Sequence, residues 1–194
     1  MIYDKENKLM PEELRVEKIG KAHLGVISSF QSYEKELVDF IIEDASSQQK
    51  QGISVTYLWF TRAKNELVGY ITLCPDSVKT HNLREDLCDK IKQKGIPYKA
   101  LPCLKIGRLC VDNRFQKRGV GRLMIYFAIE KALKMNSEVG CRFLYLDAKR
   151  NYDKQKDAIH FYLKFNFQFY KNKDESKTTP LYLDLIPFIK ESTN

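Results

Sequence analysis

Long hydrophobic runs are missing from this chain. Its longest uncharged apolar stretches, such as 123–129, fall far short of the ~20 residues needed to cross a bilayer. The charged start MIYDKENK has no apolar core of the kind a signal peptide carries, so no membrane contact and a cytoplasmic location are expected. Paired cysteines are missing as well. Cys74, Cys88, Cys103, Cys110 and Cys141 form an odd set without a C-x-x-C, which suits neither a disulfide framework nor a zinc knuckle; reduced, mostly buried thiols are expected. The three histidines, His23, His81 and His160, have no partner at ligand spacing, so no metal is expected. Glycine and proline are scarce, 9 and 6 in 194 residues, which excludes collagen-like and low-complexity chains. What remains is a globular domain with 43% hydrophobic and 12% aromatic residues, long enough to bury about 70% of its unfolded surface.

Charge is abundant and unevenly placed. Lys and Arg number 33 against 25 Asp and Glu, a net charge of +8. Residues 90–122 hold ten basic side chains and a single acid, Asp112, so this segment carries more positive charge than the whole chain. The remainder is nearly neutral. Such a concentration favours a polyanionic partner: a nucleotide, a coenzyme or a nucleic acid.

Periodicity supplies the elements. A polar tail over 1–12 is expected to fray, and 13–190 to form one domain. Residues 14–19 read as a strand. From 32 to 49, Tyr33, Leu37, Phe40, Ile41 and Ala45 recur at helical spacing, which predicts an amphipathic helix ended by Gly52. The runs 53–61 and 67–74 predict an antiparallel hairpin closed by Pro75. The charged stretch 78–98 reads as an inserted helix or flexible arm. Residues 101–112 read as a strand in which Gly107 signals a bulge or a close backbone approach. A long helix over 119–138, a buried strand over 141–148, a helix over about 155–165 and two strands at 167–171 and 180–188 complete the order. This is a mixed α/β sheet in one domain.

The chemistry concentrates between the strand ending at Asp112 and the long helix. Gln116, Lys117, Arg118, Gly119, Val120, Gly121 and Arg122 stand where the N–H groups at the start of a helix lack partners and carry partial positive charge. Glycines there let an anion reach those N–H groups, and three cations surround it. The third glycine of a dinucleotide fingerprint would fall at Met124, and the phosphate-loop pattern G-x-x-x-x-G-K-[ST] is not met. A diphosphate other than NAD or a triphosphate is implied.

These residues resemble the coenzyme motif [Gln/Arg]-x-x-Gly-x-[Gly/Ala] of the GNAT superfamily of acetyl-CoA-dependent N-acetyltransferases, matched by Gln116, Gly119 and Gly121. Residues 158–167, AIHFYLKFNF, resemble the family's A-x-x-F-Y-x-x-F-G-F segment, with Asn166 in place of the usual glycine, as a left-handed helix end tolerates. The resemblance implies a mixed, splayed, mostly antiparallel sheet flanked by helices. It implies acetyl-CoA as co-substrate without a metal, its pantetheine arm held by backbone at Leu109, Cys110 and Val111, and its pyrophosphate by 116–122. Tyr162 is then implied to protonate the departing thiolate, a role for which a phenol is a suitable acid.

Many relatives place a carboxylate base on the strand equivalent to 101–112, where this chain offers Lys105 and Arg108 and no acid before Asp112. Either an acid comes from another segment or the acceptor amine has a low pKa, as α-amines do. The segments around 35–60, 101–121 and 141–149 narrow the resemblance to the branch containing toxins that acetylate the α-amine of aminoacyl-tRNA. A small DNA-binding antitoxin is then an expected partner, with Lys105 and Arg108 as acceptor contacts and a homodimer left open. Two alternatives stand: acetylation of a protein or small-molecule amine, and a non-catalytic module that binds acyl-CoA or nucleic acid.

Overall fold

The computed structural model describes residues 8–150, 158–171 and 177–191. In chain order these form β1 (Leu14–Lys18), α1 (Leu24–Ile27), α2 (Lys35–Asp39), a π-helical segment (Phe40–Asp44), α3 (Ala45–Lys50), β2 (Val55–Thr61), β3 (Leu67–Lys79), α4 (Glu85–Gln93), β4 (Ala100–Val111), α5 (Val120–Glu138), β5 (Phe143–Lys149), α6 (Ile159–Leu163), β6 (Gln168–Phe169), β7 (Thr178–Asp184) and α7 (Ile186–Glu191). The strands make a seven-stranded sheet in the order β1-β2-β3-β4-β5-β7-β6. The pairs β1–β2, β2–β3, β5–β7 and β6–β7 run antiparallel, and β4–β5 runs parallel. This is the mostly antiparallel α/β sheet that the resemblance implies.

The chain divides into two compact units, one of residues 1–74 and 107–128, the other of 75–106 and 129–194. In the first, the helical face read from the sequence buries from Leu37 onward, whereas Tyr33 precedes the helix, which starts at Lys35, and is exposed. Phe40, Ile41 and Ala45 pack with Leu58, Phe60, Leu67, Tyr70 and Cys110. The Tyr70 hydroxyl donates to the Leu37 carbonyl at 2.6 Å, which satisfies a polar group that would otherwise be costly to bury. The helix is less regular than its periodicity predicts: five residues, Phe40–Asp44, take the wider π turn, which lets Phe40 and Ile41 both face the core. Between β3 and β4 the backbones come close at Gly69, where an added Cβ would stand 2.7 Å from the Cys110 carbonyl oxygen and 2.5 Å from Met124 Cε. Gly107 is not such a point, since a Cβ there would meet nothing nearer than 3.7 Å, so the close approach expected at Gly107 belongs to Gly69.

In the second unit, Val78, Leu83, Ile91, Leu101, Cys103, Phe143 and Tyr182 form the core. The charged stretch 78–98 divides. Its first residues finish β3, and α4 lays Ile91 and Leu87 on that core while its charges face solvent. The hairpin strand therefore does not close at Pro75 but continues to Lys79. Proline's fixed φ is compatible with extended backbone, and Val78 beyond it is fully buried. At the other end, the strand expected over 180–188 stops at Asp184. Its carboxylate accepts from the Ile186 N–H at 3.0 Å and caps α7, whose first turn holds Pro187.

The tail expected over 1–12 is tied down at its end: Leu9 is buried and its N–H donates to the Arg118 carbonyl at 3.0 Å. Most of the expected turn 172–179 and the start of the helix placed at 155 lie outside the described residues. No helix among the described residues is long and apolar enough to cross a membrane.

Candidate active site

The loop between β4 and α5 is built around one buried acid. Asp112 is fully buried, and its carboxylate accepts from the Gln31 N–H at 3.0 Å, the Arg114 N–H at 3.0 Å and the Arg114 guanidinium at 2.8 and 2.9 Å. Burial alone would raise this carboxyl, but the hydrogen bonds from Arg114 and Gln31 outweigh it and hold Asp112 below the ordinary aspartate value. Asn113 adds a second tie, its N–H donating to the Gln31 carbonyl at 3.0 Å. Asp112 thus anchors the loop, and its lone pairs are occupied.

Past this anchor the backbone turns through two left-handed residues, Lys117 at φ 61° and Gly119 at φ 86°. Such a change of hand within a few residues is how successive N–H groups come to face one concavity. Helix α5 begins at Val120, and the Leu123 N–H already reaches back to the Gly119 carbonyl at 3.2 Å. The N–H groups of Val120, Gly121 and Arg122 precede that first bond and have no place in the helical ladder. An added Cβ at Gly119 would meet nothing within 4 Å, so the space over the loop is open.

The side chains around the loop take distinct positions. Gln116 turns back, its amide donating to Asn113 Oδ1 at 3.0 Å. Arg118 lies over the Phe115 ring at 5.4 Å, and Arg122 reaches the Tyr126 hydroxyl at 2.9 Å. Lys117 is exposed. These residues fit a diphosphate: open N–H groups at the start of a 19-residue helix, with formal positive charge beside them. Before the loop, β4 carries Leu109, Cys110 and Val111, with Cys110 turned into the core and its neighbours half-buried.

Strand β4 pairs with β5 from Cys103 opposite Phe143 to Ile106 opposite Leu146, and continues past that ladder through Gly107–Val111. On the paired stretch stands a group that spacing alone did not assemble. Lys105 Nζ lies 2.8 Å from Asp147 and 3.6 Å from Asp76, and sits over the Tyr145 ring at 5.2 Å. The Tyr145 hydroxyl donates to Asp147 Oδ1 at 3.0 Å. Burial, reinforced by the Asp147 charge, raises the Tyr145 phenol above its ordinary value. The signal was present in the alternation of FLYLD, which puts Tyr145 and Asp147 on one face, but only the parallel register brings Lys105 beside them.

Arg108, the other residue expected at the acceptor, donates to its neighbour's carbonyl at Gly107 (2.8 Å), stands 3.9 Å from Glu36 and lies over Phe40 at 5.2 Å. Both cations are therefore answered by groups of their own chain.

Tyr162 lies in the second unit on α6, 8% exposed, with edge contacts to Phe161 and Phe167 at 5.1 and 5.7 Å between ring centroids. Asn166 follows at φ 63°, the left-handed helix end its place in the motif requires.

The acetyltransferase (GNAT) family model matches residues 25–167, most of the chain. Over 160 residues the chain is 27% identical to a tRNA-acetylating toxin of Mycobacterium tuberculosis, covering 82% of this chain and 85% of the relative. Among solved structures, AtaT complexed with acetyl-methionyl-tRNAfMet superposes with a TM-score of 0.76 at 22% identity, covering 93% of this chain and 99% of that one. A KacT mutant gives 0.76 at 24% identity with the same coverage, and AtaTR bound with acetyl-CoA gives 0.72 at 23%, covering 94% and 99%. These structural likenesses share one fold across nearly the whole chain. The chain belongs to the acetyltransferase (GNAT) family, and acetyl-CoA is its acetyl donor.

Proposed function

We propose that this acetyltransferase modifies the α-amine of an aminoacyl-tRNA, acting in the cytoplasm as the toxin of a toxin–antitoxin pair with a small DNA-binding antitoxin. The observation that carries the proposal is its likeness to a tRNA-acetylating toxin over 82% of the chain. Two features of the chain itself support it. First, β4 carries no carboxylate, and Asp112, the acid that follows it, is buried against Arg114. An acceptor that is substantially neutral near pH 7 suits such a strand, and α-amines, with pKa about 7.7–8.0, come far closer than lysine at about 10.4. Second, Lys90, Lys94 and Lys99 are exposed and available to phosphates.

Bound acetyl-CoA supplies the acetyl group as a thioester. The N–H groups of Val120, Gly121 and Arg122, with Lys117 and Arg118, hold the pyrophosphate, and the backbone of Leu109, Cys110 and Val111 holds the pantetheine arm. A backbone N–H at Cys110 or Val111 stabilises negative charge developing on the thioester oxygen. The amine nitrogen bonds to the carbonyl carbon, the C–S bond breaks, the nitrogen gives up a proton to solvent, and the Tyr162 hydroxyl delivers one to the departing sulfur. Acid assistance of this kind contributes about 10²–10⁴ in rate.

A cell-free translation extract supplied with acetyl-CoA tests this. The wild-type chain is expected to block synthesis and leave N-acetylated aminoacyl-tRNA detectable by mass spectrometry, and Tyr162→Phe to relieve most of the block. Transfer only to lysine peptides or polyamines would overturn the acceptor, and an undiminished Tyr162→Phe variant would remove Tyr162 from its role.

A further inference from the structure

A cavity of about 500 Å³ opens in the first unit on residues to which the acetyl transfer assigns no substrate. Leu9, Thr61 and Phe115, all buried, line its base. Arg62, Ala63, Lys64 and Glu66 of the β2–β3 turn, with Glu13 and Arg118, complete it. Its volume falls in the ~300–1,000 Å³ range of small-molecule sites.

The turn is set rigidly enough to aim these groups. The Arg62 N–H donates to the Glu13 carbonyl at 2.8 Å, the Glu66 N–H donates to Thr61 Oγ1 at 3.1 Å, and Asn65 takes a left-handed φ of 56°. Arg62 and Lys64 are exposed, and among the described residues neither cation has a carboxylate within ion-pair distance. Glu13 is committed, its carboxylate accepting from the Met10 N–H at 2.7 Å. The Glu66 carboxylate is near enough to Arg114 to act on its charge and can still accept a further hydrogen bond.

We propose that this cavity binds a nucleotide, free or as one unit of an RNA strand, at a place separate from the coenzyme's. A nucleotide presents what the lining answers: an apolar base face for Leu9 and Phe115, sugar hydroxyls that donate to Glu66, and a phosphate for Arg62 and Lys64. A purely apolar ligand would leave the two cations unanswered, and an inorganic anion would leave the apolar base unused. The site touches the coenzyme loop through Arg118, which lines the cavity and whose carbonyl accepts from Leu9. It is nonetheless formed without Lys117, Gly119 or the start of α5. Arg118 is the one residue the two sites share, so the ligand is expected to bind alongside acetyl-CoA.

Calorimetric titration of the full chain with AMP, and separately with a short single-stranded oligoribonucleotide, tests this with and without saturating acetyl-CoA. The double variant Arg62→Ala, Lys64→Ala is the control, its fold checked by circular dichroism and its acetyl-CoA affinity expected to equal that of the wild type. Wild-type binding of AMP in the presence of acetyl-CoA, weakened at least tenfold in the variant, supports a site for a free nucleotide. The same pattern with the oligoribonucleotide alone supports an RNA contact. Binding of neither probe, binding indifferent to the two substitutions, or full displacement by acetyl-CoA would overturn the proposal. None of these readouts depends on which amine accepts the acetyl group, so this proposal and the tRNA acceptor fail separately.

Discussion

The ammonium of Lys105 lies 2.8 Å from a carboxylate oxygen of Asp147 on the neighbouring parallel strand and 3.6 Å from one of Asp76. One cation balances two acids on a partly buried face, and the Tyr145 hydroxyl shares Asp147 with it.

Lys105→Met is therefore expected to act on stability before it acts on substrate. Removing the cation leaves two carboxylates without their shared partner at a position where Lys105 is only 27% exposed. A cost of ~1–3 kcal/mol is expected, and a chain of this size loses ~2–4 °C of Tm for each kcal/mol. Thermal denaturation checks it. An unchanged Tm with a raised KM for the acceptor would instead return Lys105 to substrate binding.

Asp112 governs a different property. Its folded pKa is held below the unfolded one, so its stabilising contribution is present above the unfolded value, near pH 4, and is lost as pH falls through the folded value. Asp112→Asn should abolish that acid-side dependence while weakening acetyl-CoA binding, because the loop before Gln116 loses its anchor to Gln31 and Arg114. Melting curves from about pH 3 to pH 6, with acetyl-CoA titrations at neutral pH, read both effects.

Two glycines on adjacent central strands should behave oppositely. Gly69→Ala drives a methyl toward the Cys110 carbonyl at 2.7 Å, a backbone atom that cannot swing aside, for an expected cost of ~1–3 kcal/mol. Gly107→Ala meets its nearest neighbour at 3.7 Å and should cost less than about 0.5 kcal/mol. Denaturant midpoints of the two variants give the comparison. Equal effects would mean that the approach at Gly69 does not constrain the fold.

Thiol titration separates the cysteines. Cys103, Cys110 and Cys141 are buried, and burial pushes the Cys110 thiol up to about 11. Native protein near pH 8 should expose only Cys74 and Cys88 to a thiol reagent, and denaturant should release the other three. Rapid modification of Cys110 in native protein would contradict its place in the core.

Much of the site could be read before the fold. Gln116, Gly119 and Gly121 mark the proposed anion site because a loop entering a helix leaves N–H groups open, a local fact that needs no tertiary contact. The segment 158–167 announces its left-handed end at Asn166 for the same reason. Helical periodicity placed Phe40, Ile41 and Ala45 on the buried face because the apolar stripe is local as well.

The fate of the charge was not local. Between residues 90 and 122 the sequence shows one acid against ten bases, yet Asp89 answers Lys92, Asp76 and Asp147 answer Lys105, and Glu36 answers Arg108. Asp89 reaches Lys92 within one turn of α4, but strand register and packing bring Asp76, Asp147 and Glu36 to the segment from elsewhere in the chain. The sequence by itself determined the family, the loop proposed for the coenzyme and most of the elements that flank it, since each depends on neighbours along the chain. Tertiary structure decided which charges remain free for a partner, because Coulomb attraction falls with distance in space and takes no account of distance along the chain.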